Sequence, residues 1–157
     1  MRYFKYFLMI TINFIYINIA NADFYMDPRW GTVVIDEVVD GDTVKLHYFR
    51  GVGNITVRLS DIDCYETKAI PRAHWQAEYY KKSIGEVLKL GNQSKIILKQ
   101  VLNQYKDNIY LKSDKKDIYG RTLGRLYIGK DENNMSINEF MLLYGGCEVY
   151  VDRSKTY

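Results

Sequence analysis

The sequence predicts an α+β fold, in which a small closed β-barrel carries helices on its outer surface. Three observations support this. The first half contains three strand patterns joined by tight turns, a long stretch with helical periodicity follows, and further strand patterns come after it. The chain of 157 residues has the length of one domain, and 47% hydrophobic residues suffice for a single core.

The three N-terminal strand patterns predict an antiparallel meander. Residues 32–39 form a β-branched run, residues 43–49 alternate apolar with polar side chains, and residues 55–62 resume the strand pattern. Asp40-Gly41-Asp42 supplies the first turn, and the glycine-rich segment 50–54 supplies the second.

A helical region is predicted after Pro71, which suits the first turn of a helix. Apolar residues recur at spacings of three and four from Ala73 to Val87. Gly91 is expected to interrupt the helix before a second periodic run over residues 97–102. Trp75, Tyr79 and Tyr80 are expected to pack against the core, since aromatic stripes usually do, and the alternative is a base-stacking platform.

The last third of the chain predicts two strands, a helix and a closing strand. The two strands are expected at residues 108–112 and 122–128. Ser136-Ile137-Asn138-Glu139 forms a capping box that begins a helix, and Gly145 is suited to end it. Val149 to Val151 is expected to close the sheet.

The first 22 residues predict a cleaved signal peptide. Arg2 and Lys5 form a basic start, residues 6–19 are uncharged and mostly apolar, and Ala20-Asn21-Ala22 offers the small residues of a cleavage site. Cleavage before Asp23 would leave residues 23–157 as the mature domain. A membrane anchor is disfavoured, because the apolar run is short and contains polar residues. We therefore expect a periplasmic or extracellular monomer without stable membrane association.

Net charge excludes bulk electrostatic binding of nucleic acid. Removal of residues 1–22 would leave 20 basic against 19 acidic residues, so that the formal charge would fall from +3 to +1. Contacts with nucleic acid must then come from a few placed cations. Cys64 and Cys147 could pair in an oxidising compartment, and the sequence leaves that pairing open. Zinc is disfavoured, because CxxC is absent and only two histidines are present.

Two acidic clusters follow strands of the meander. Asp40 and Asp42 flank a glycine after the first strand, whereas Asp61, Asp63 and Glu66 follow the third. The start of strand two and the end of strand three can be neighbours, which would bring Asp42 close to Asp63. Oxygen ligands without His or Cys favour Ca²⁺ or Mg²⁺. The alternative is ordinary turn chemistry, with each acid solvated.

Arg58 and Arg121 are candidate phosphate ligands. Arg58 lies between apolar neighbours in a predicted strand, and Arg121 follows Tyr119-Gly120, where both side chains could face one cleft. A guanidinium donates paired hydrogen bonds to phosphate and stays charged at any working pH. The alternative for either arginine is a weak surface ion pair.

Three stretches of the chain resemble the signature stretches of the thermonuclease (staphylococcal nuclease-like) family, in the same order. They are Val39-Asp40-Gly41-Asp42-Thr43, the segment 58–67 (RLSDIDCYET), and Asp117-Ile118-Tyr119-Gly120-Arg121. The resemblance extends from about Trp30 to Asp152. It implies a five-stranded OB-fold barrel with two or three flanking helices, which hydrolyses DNA or RNA phosphodiesters with Ca²⁺.

The resemblance also implies a role for each candidate residue. Asp42 and Asp63 correspond to metal carboxylates, and Cys64 to a position that offers its backbone carbonyl to the ion. Asp40 corresponds to an acid behind the metal ligands. Glu66 corresponds to the general base. The remaining positions correspond to groups that contact substrate: Arg58 and Arg121 grip the phosphate, and Tyr119 lines the nucleotide pocket.

Two departures and two alternatives accompany this interpretation. Tyr65 replaces a frequent proline, and Ile118 replaces a frequent lysine, which removes one cation from the pocket. An OB barrel that holds single-stranded nucleic acid without cutting it is the alternative function. A domain with a structural or protein-binding role and a vestigial cleft is a third.

Overall fold

A computed structural model describes residues 30–48 and 53–151. The predicted signal segment 1–22 and Phe49 lie outside the described residues. The elements, in chain order, are β1 (Trp30–Val38), β2 (Thr43–Tyr48), β3 (Ile55–Leu59), β4 (Ile62–Asp63), α1 (Pro71–Tyr79), α2 (Ile84–Gln104), β5 (Ile109–Lys116), β6 (Thr122–Ile128), α3 (Ile137–Leu143) and β7 (Glu148–Val149).

Five strands form a closed barrel in the order β1-β2-β3-β6-β5. All neighbouring strands are antiparallel except β3 and β6, whose parallel pairing aligns Arg58 with Leu123. With three helices on the outside, this confirms the predicted α+β class and the OB-fold barrel. No helix in the described part of the chain is both long and apolar enough to cross a membrane.

The core is built by alternation along the strands. Val44 and Leu46 on β2, and Val57 and Leu59 on β3, are completely buried, whereas the side chains between them face outward. Helix α2 adds buried apolar residues, among them Leu98. Because Arg58 lies between two buried residues, its side chain leaves the barrel on the outer face.

The third strand is shorter than predicted. It ends at Leu59, and the chain turns through Asp61, whose φ of 65° lies in the left-handed region. Ile62 and Asp63 then pair with β7 in a separate two-stranded sheet. The expectation that Val149 to Val151 closes the barrel was therefore wrong. The β1–β5 and β3–β6 pairings already close it and leave no edge for a further strand.

The expected helix interruption at Gly91 was also wrong. The chain leaves the helical conformation at residues 80–83, and Ser83 with Glu86 forms a capping box that begins α2. Helix α2 continues through Gly91, where the backbone of the Tyr65–Glu66 turn crosses it. A Cβ at Gly91 would lie 2.3 Å from the Glu66 carbonyl oxygen. The glycine therefore serves close packing rather than termination.

Asn138 joins α3 to the parallel strand pair. Its Nδ2 donates to the carbonyls of Ser60 (2.9 Å) and Gly124 (3.2 Å), and its Oδ1 accepts from the Leu126 N–H (3.1 Å). The side chain is buried. It therefore satisfies backbone groups at the point where β3 and β6 meet.

We predict that Asn138→Leu lowers the free energy of unfolding by about 3 kcal/mol, because backbone groups lose their buried partner. Urea denaturation measures the change. The control is Asn92→Leu on the exposed face of α2, which should change stability by no more than about 0.5 kcal/mol. Equal losses for the two variants would contradict the structural role of Asn138.

Candidate active site

Asp42 occupies the centre of the candidate site. The turn between β1 and β2 holds it in place, since the Val39 N–H donates to the Thr43 carbonyl (2.9 Å) and the Leu59 N–H donates to the Asp42 carbonyl (2.8 Å). Only 4% of Asp42 is exposed. Its carboxylate accepts from the Cys64 N–H and from the Thr43 hydroxyl, each at 3.0 Å.

Arg58 joins the two acidic clusters. It lies opposite Thr43 in the β2–β3 register, and its Nη1 pairs with Asp42 Oδ1. Its Nη2 donates to Asp63 Oδ1 (3.2 Å), and its guanidinium carbon lies 5.9 Å from the centre of the Tyr150 ring. Burial alone would lower the pKa of Arg58, but Asp42 raises it above the ordinary value. The predicted proximity of Asp42 and Asp63 is thus present, with an arginine between them.

Arg72 is a member of the site that the sequence analysis missed. Its Nη2 lies 2.6 Å from both carboxylate oxygens of Asp63, and its Nε lies 3.3 Å from Glu66 Oε1. Pro71 at the start of α1 fixes Arg72 in the first turn of that helix. This position in the first helical turn, six residues after Glu66, is the feature of the sequence from which Arg72 could have been predicted as a member of the site.

Gln76, also missed, fixes the turn that carries Cys64 and Glu66. Its Nε2 donates to the Cys64 carbonyl (3.0 Å), and its Oε1 accepts from the Glu66 N–H (2.9 Å). The side chain is 1% exposed. Gln76 lies one helical turn after Arg72, and nothing in the sequence distinguishes it from a glutamine that faces solvent.

A disulfide between Cys64 and Cys147 ties the same turn to the segment before β7. The pairing that the sequence left open is therefore present. It also determines the residue at position 41, where an added Cβ would lie 2.8 Å from the Cβ of Cys64 and 2.7 Å from that of Ser94. Gly41 is thus required by packing between the disulfide and α2. Because both sulfurs are bonded to each other, neither can act as a thiolate ligand.

The acids outnumber the cations that contact them. Asp40, whose Oδ1 accepts from the Asp42 N–H (3.2 Å), belongs to the same group as Asp42, Asp63 and Glu66. Burial and the neighbouring Asp42 raise the pKa of Asp40 to about 7. Burial and the same carboxylate raise the pKa of Glu66, against the opposing effect of Arg72. Repulsion between acids therefore remains after the two arginines are counted.

Arg121 and Tyr119 lie in the turn that precedes β6. Arg121 stands two positions before Leu123, the β6 partner of Arg58. Among the described residues, no hydrogen bond or ion pair joins Arg121 to Asp42, Asp63 or Glu66. The Arg121 Nε donates to Asp117 Oδ2 (2.8 Å), and its guanidinium carbon lies 5.5 Å from the Tyr119 ring centre. Tyr119 is 77% exposed, and its neighbour Ile118 is 92% exposed.

The donor set fits a hard divalent cation in its chemistry. Asp42 and Asp63 supply carboxylate oxygens, Cys64 supplies a backbone carbonyl, and the acids are in excess of the arginines. Within residues 30–48 and 53–151, however, no three Asp, Glu, His or Cys side chains form a ready metal site. Instead, arginines pair with the carboxylates of Asp42 and Asp63.

A family model described as staphylococcal nuclease homologue matches residues 56–157, more than half of the chain. The chain belongs to this family. A comparison with curated protein sequences finds none that matches the chain. The matched range contains Arg58, Asp63, Glu66 and Arg121, while Asp42 precedes it. The structure joins Asp42 to that range through its contacts with Arg58 and Cys64.

Membership of the staphylococcal nuclease homologue family indicates a nuclease-type hydrolase function and a nucleic-acid substrate. The barrel and the helices agree with that assignment. The ion pairs show how one mouth of the barrel gathers acids and arginines from the β1–β2 turn, β3, β4 and α1.

We predict that Gly91→Ala destabilises the fold by about 1–3 kcal/mol, because the new methyl group meets the Tyr65–Glu66 backbone. Chemical denaturation gives the magnitude. Gly85→Ala in the same helix is the matched control, since nothing lies within 4 Å of its Cβ. That control should gain up to about 1 kcal/mol from helix propensity. A stable Gly91→Ala protein would show that the turn does not require this close approach.

Proposed function

We propose that the chain is an exported, calcium-dependent nuclease that hydrolyses phosphodiester bonds of DNA, RNA or both. The observation that carries the proposal is one connected group of side chains, in which Arg58 bridges Asp42 and Asp63 and Arg72 bridges Asp63 and Glu66. A protein that only binds phosphates has no need for acids at this position, because they repel the ligand.

The proposed ion would be held by Asp42, Asp63 and the Cys64 carbonyl. When bound, it would supply positive charge to the phosphate oxygens and lower the pKa of a water molecule. The surrounding protein keeps these oxygens in place without the ion. The Cys64 N–H donates to the Asp42 carboxylate, and Gln76 donates to the Cys64 carbonyl. The disulfide at Cys64 restrains the backbone next to the third donor, Asp63.

Glu66 is the proposed proton acceptor for the attacking water. Its side chain is more exposed, at 19%, than those of Asp63 (12%) and Asp42 (6%). Its backbone is fixed by the hydrogen bond to Gln76 and by the contact with Gly91. A carboxylate in this position can accept a proton from water that lies within hydrogen-bond distance.

Arg58 and Arg121 are the proposed phosphate ligands, because each guanidinium can donate paired hydrogen bonds to a phosphate. Donors placed where negative charge develops lower the barrier to attack by several kcal/mol. Tyr119 would line the pocket beside Arg121. Arg121 is the more accessible of the two, with 31% of its side chain exposed against 15% for Arg58.

We predict that the purified protein cuts single-stranded DNA with Ca²⁺ and does not cut it with a chelator. Arg121→Ala should lower kcat by about 100-fold, because one phosphate donor is lost. The matched control is Arg125→Ala on β6, which pairs with Asp61 and should leave kcat unchanged.

Arg121 is a cleaner test than Arg58, because removal of Arg58 would leave buried Asp42 unpaired and destabilise the fold. Equal rates for Arg121→Ala and the wild type would remove Arg121 from the mechanism. Retention of the oligonucleotide without cutting, in either condition, would favour the non-catalytic binding protein. Absence of both cutting and retention would contradict a function in nucleic-acid processing.

Export is supported by the disulfide, because such bonds persist in oxidising compartments. The protein would act in the periplasm or outside the cell, as a monomer free of the membrane after cleavage of residues 1–22.

When the full chain is expressed in a bacterium, we expect the recovered protein to begin at Asp23, because Ala20 and Ala22 match a signal-peptidase site. N-terminal sequencing or intact mass measures this. Replacement of both alanines with arginine should block cleavage, whereas replacement of Asn21 with serine should not. Recovery of uncleaved wild-type protein from the cytoplasm would contradict export.

A further inference from the structure

Two arginines hold the acids of the candidate site, and the fold fixes one of them more firmly than the other. Arg58 lies on β3 between two completely buried residues, and only 15% of its side chain is exposed. Its Nη2 also donates to the Ile62 carbonyl (3.3 Å). Arg72 lies in the first turn of α1, and 42% of its side chain is exposed. Of the two, Arg72 can therefore leave the acids without opening the core.

The acids, rather than the helix, explain why Arg72 lies where it does. Arg72 is the second residue of α1, and the N-terminal end of a helix carries partial positive charge, which disfavours a cation there. The first turn of α1 contains no acidic residue. Asp63 and Glu66 supply the balancing negative charge from outside the helix. A cation that competes for these two acids would therefore release the guanidinium.

Arg72 contacts carboxylate oxygens that a metal ion would use. Its Nη2 lies 2.6 Å from both oxygens of Asp63, and the Nη2 of Arg58 lies 3.2 Å from one of them. Ca²⁺ binds carboxylate oxygens through the same lone pairs that accept these hydrogen bonds. Two cations on one carboxylate also repel each other. A calcium ion and Arg72 must therefore compete for Asp63.

The same guanidinium holds the proposed proton acceptor. The Nε of Arg72 lies 3.3 Å from Glu66 Oε1. A lone pair that interacts with Arg72 cannot at the same time accept a hydrogen bond from a water molecule. A single movement of Arg72 would therefore open Asp63 to the ion and Glu66 to the attacking water.

Helix α1 offers the released guanidinium a second contact. The guanidinium carbon of Arg72 lies 5.7 Å from the centre of the Trp75 ring, which is within cation–π distance. Trp75 is 37% exposed and Tyr79, which stacks on it, is 55% exposed, so the expectation that these rings pack in the core was wrong. Because Trp75 follows Arg72 on the same helix, the guanidinium can keep this contact while it leaves the acids.

We propose that Arg72 is a displaceable counter-cation of the metal site, which holds Asp63 and Glu66 until Ca²⁺ replaces it at Asp63. This inference rests on the proposed function and concerns how the same site takes up its ion. Arg72 is a positioning residue in this exchange, because it acts through the two acids. The exchange makes Glu66 available to water only when the ion arrives, so that uptake of the ion and release of the proton acceptor are coupled.

The test is a calorimetric titration of Ca²⁺ into the purified protein without nucleic acid. We expect Arg72→Gln to bind Ca²⁺ about fivefold more tightly than the wild type, because the competing cation is lost. Loss of a merely structural residue would weaken binding instead. Lys68→Gln is the matched control, since it removes one exposed cation from the same segment, and Lys68 forms no ion pair with an acid in the described part of the chain. It should change the affinity by less than about twofold.

Side-chain NMR gives a second measurement that does not depend on affinity. The Nε–H signal of Arg72 is identified by its absence from the spectrum of the Arg72→Gln protein. Because this Nε lies 3.3 Å from Glu66 Oε1, we expect the signal to shift as Ca²⁺ saturates the wild type. The Nε–H signal of Arg125, which pairs with Asp61, should stay in place. An unchanged Arg72 signal at saturating Ca²⁺, or equal shifts of both signals, overturns the proposal.

The two proposals fail in distinguishable ways, because the titration contains no nucleic acid. If the wild type cuts DNA with Ca²⁺ while Arg72→Gln binds Ca²⁺ no more tightly, the exchange is wrong and the nuclease proposal stands. The exchange is also wrong if Lys68→Gln strengthens binding equally, since the effect is then one of net charge. If Arg72→Gln binds more tightly but the wild type does not cut, the exchange stands and the catalytic proposal fails. Absence of Ca²⁺ binding by both proteins overturns the exchange and the calcium dependence together.

Discussion

The ion pair between Asp42 and Arg58 is the constraint on which the site depends. Both side chains are largely buried, with exposed fractions of 6% and 15%. Removal of one partner from such a pair lowers the free energy of unfolding by roughly 3–5 kcal/mol, because the other charge stays buried. The pair also sets the geometry, since it connects the turn before β2 to β3, and Arg58 extends the connection to Asp63. The acids can gather at one mouth of the barrel because Arg58 and Arg72 offset their mutual repulsion.

Close packing of small residues brings the acidic turns onto α2. Gly41 and Gly91 leave no room for a methyl group, and the disulfide fixes the turn from the other side. A cross-link between residues 83 positions apart stabilises a fold by about 4.5 kcal/mol in the loop-entropy model. The stability lost by burying several carboxylates together is thus offset by constraints that lie just behind them. Asp42 and Cys64 are almost completely buried, whereas 19% of the Glu66 side chain is exposed.

Sequence reasoning succeeded where local chemistry determines the structure. The strand over Thr122–Ile128 and the capping box at Ser136 were predicted correctly, because alternation and capping depend on neighbours in the chain. It failed at Gly91, where the reason for glycine is a backbone segment from another part of the molecule. It also missed Arg72 and Gln76, because the partners of an arginine or glutamine on a helix are known only once the position of the helix in the fold is known. The exposure of Trp75 and Tyr79 was missed for the same reason.

The barrel, the helices and the residue types that can perform chemistry on a phosphodiester could be predicted from the sequence alone. Periodicity, turn residues and the three signature stretches lie within short segments, so they can be recognised without a fold. The fold was needed to show which charges meet, that Cys64 pairs with Cys147, and that β7 pairs with β4 rather than with the barrel. Those outcomes depend on distances between residues far apart in the chain, and closure of the barrel and docking of α1 and α2 set these distances.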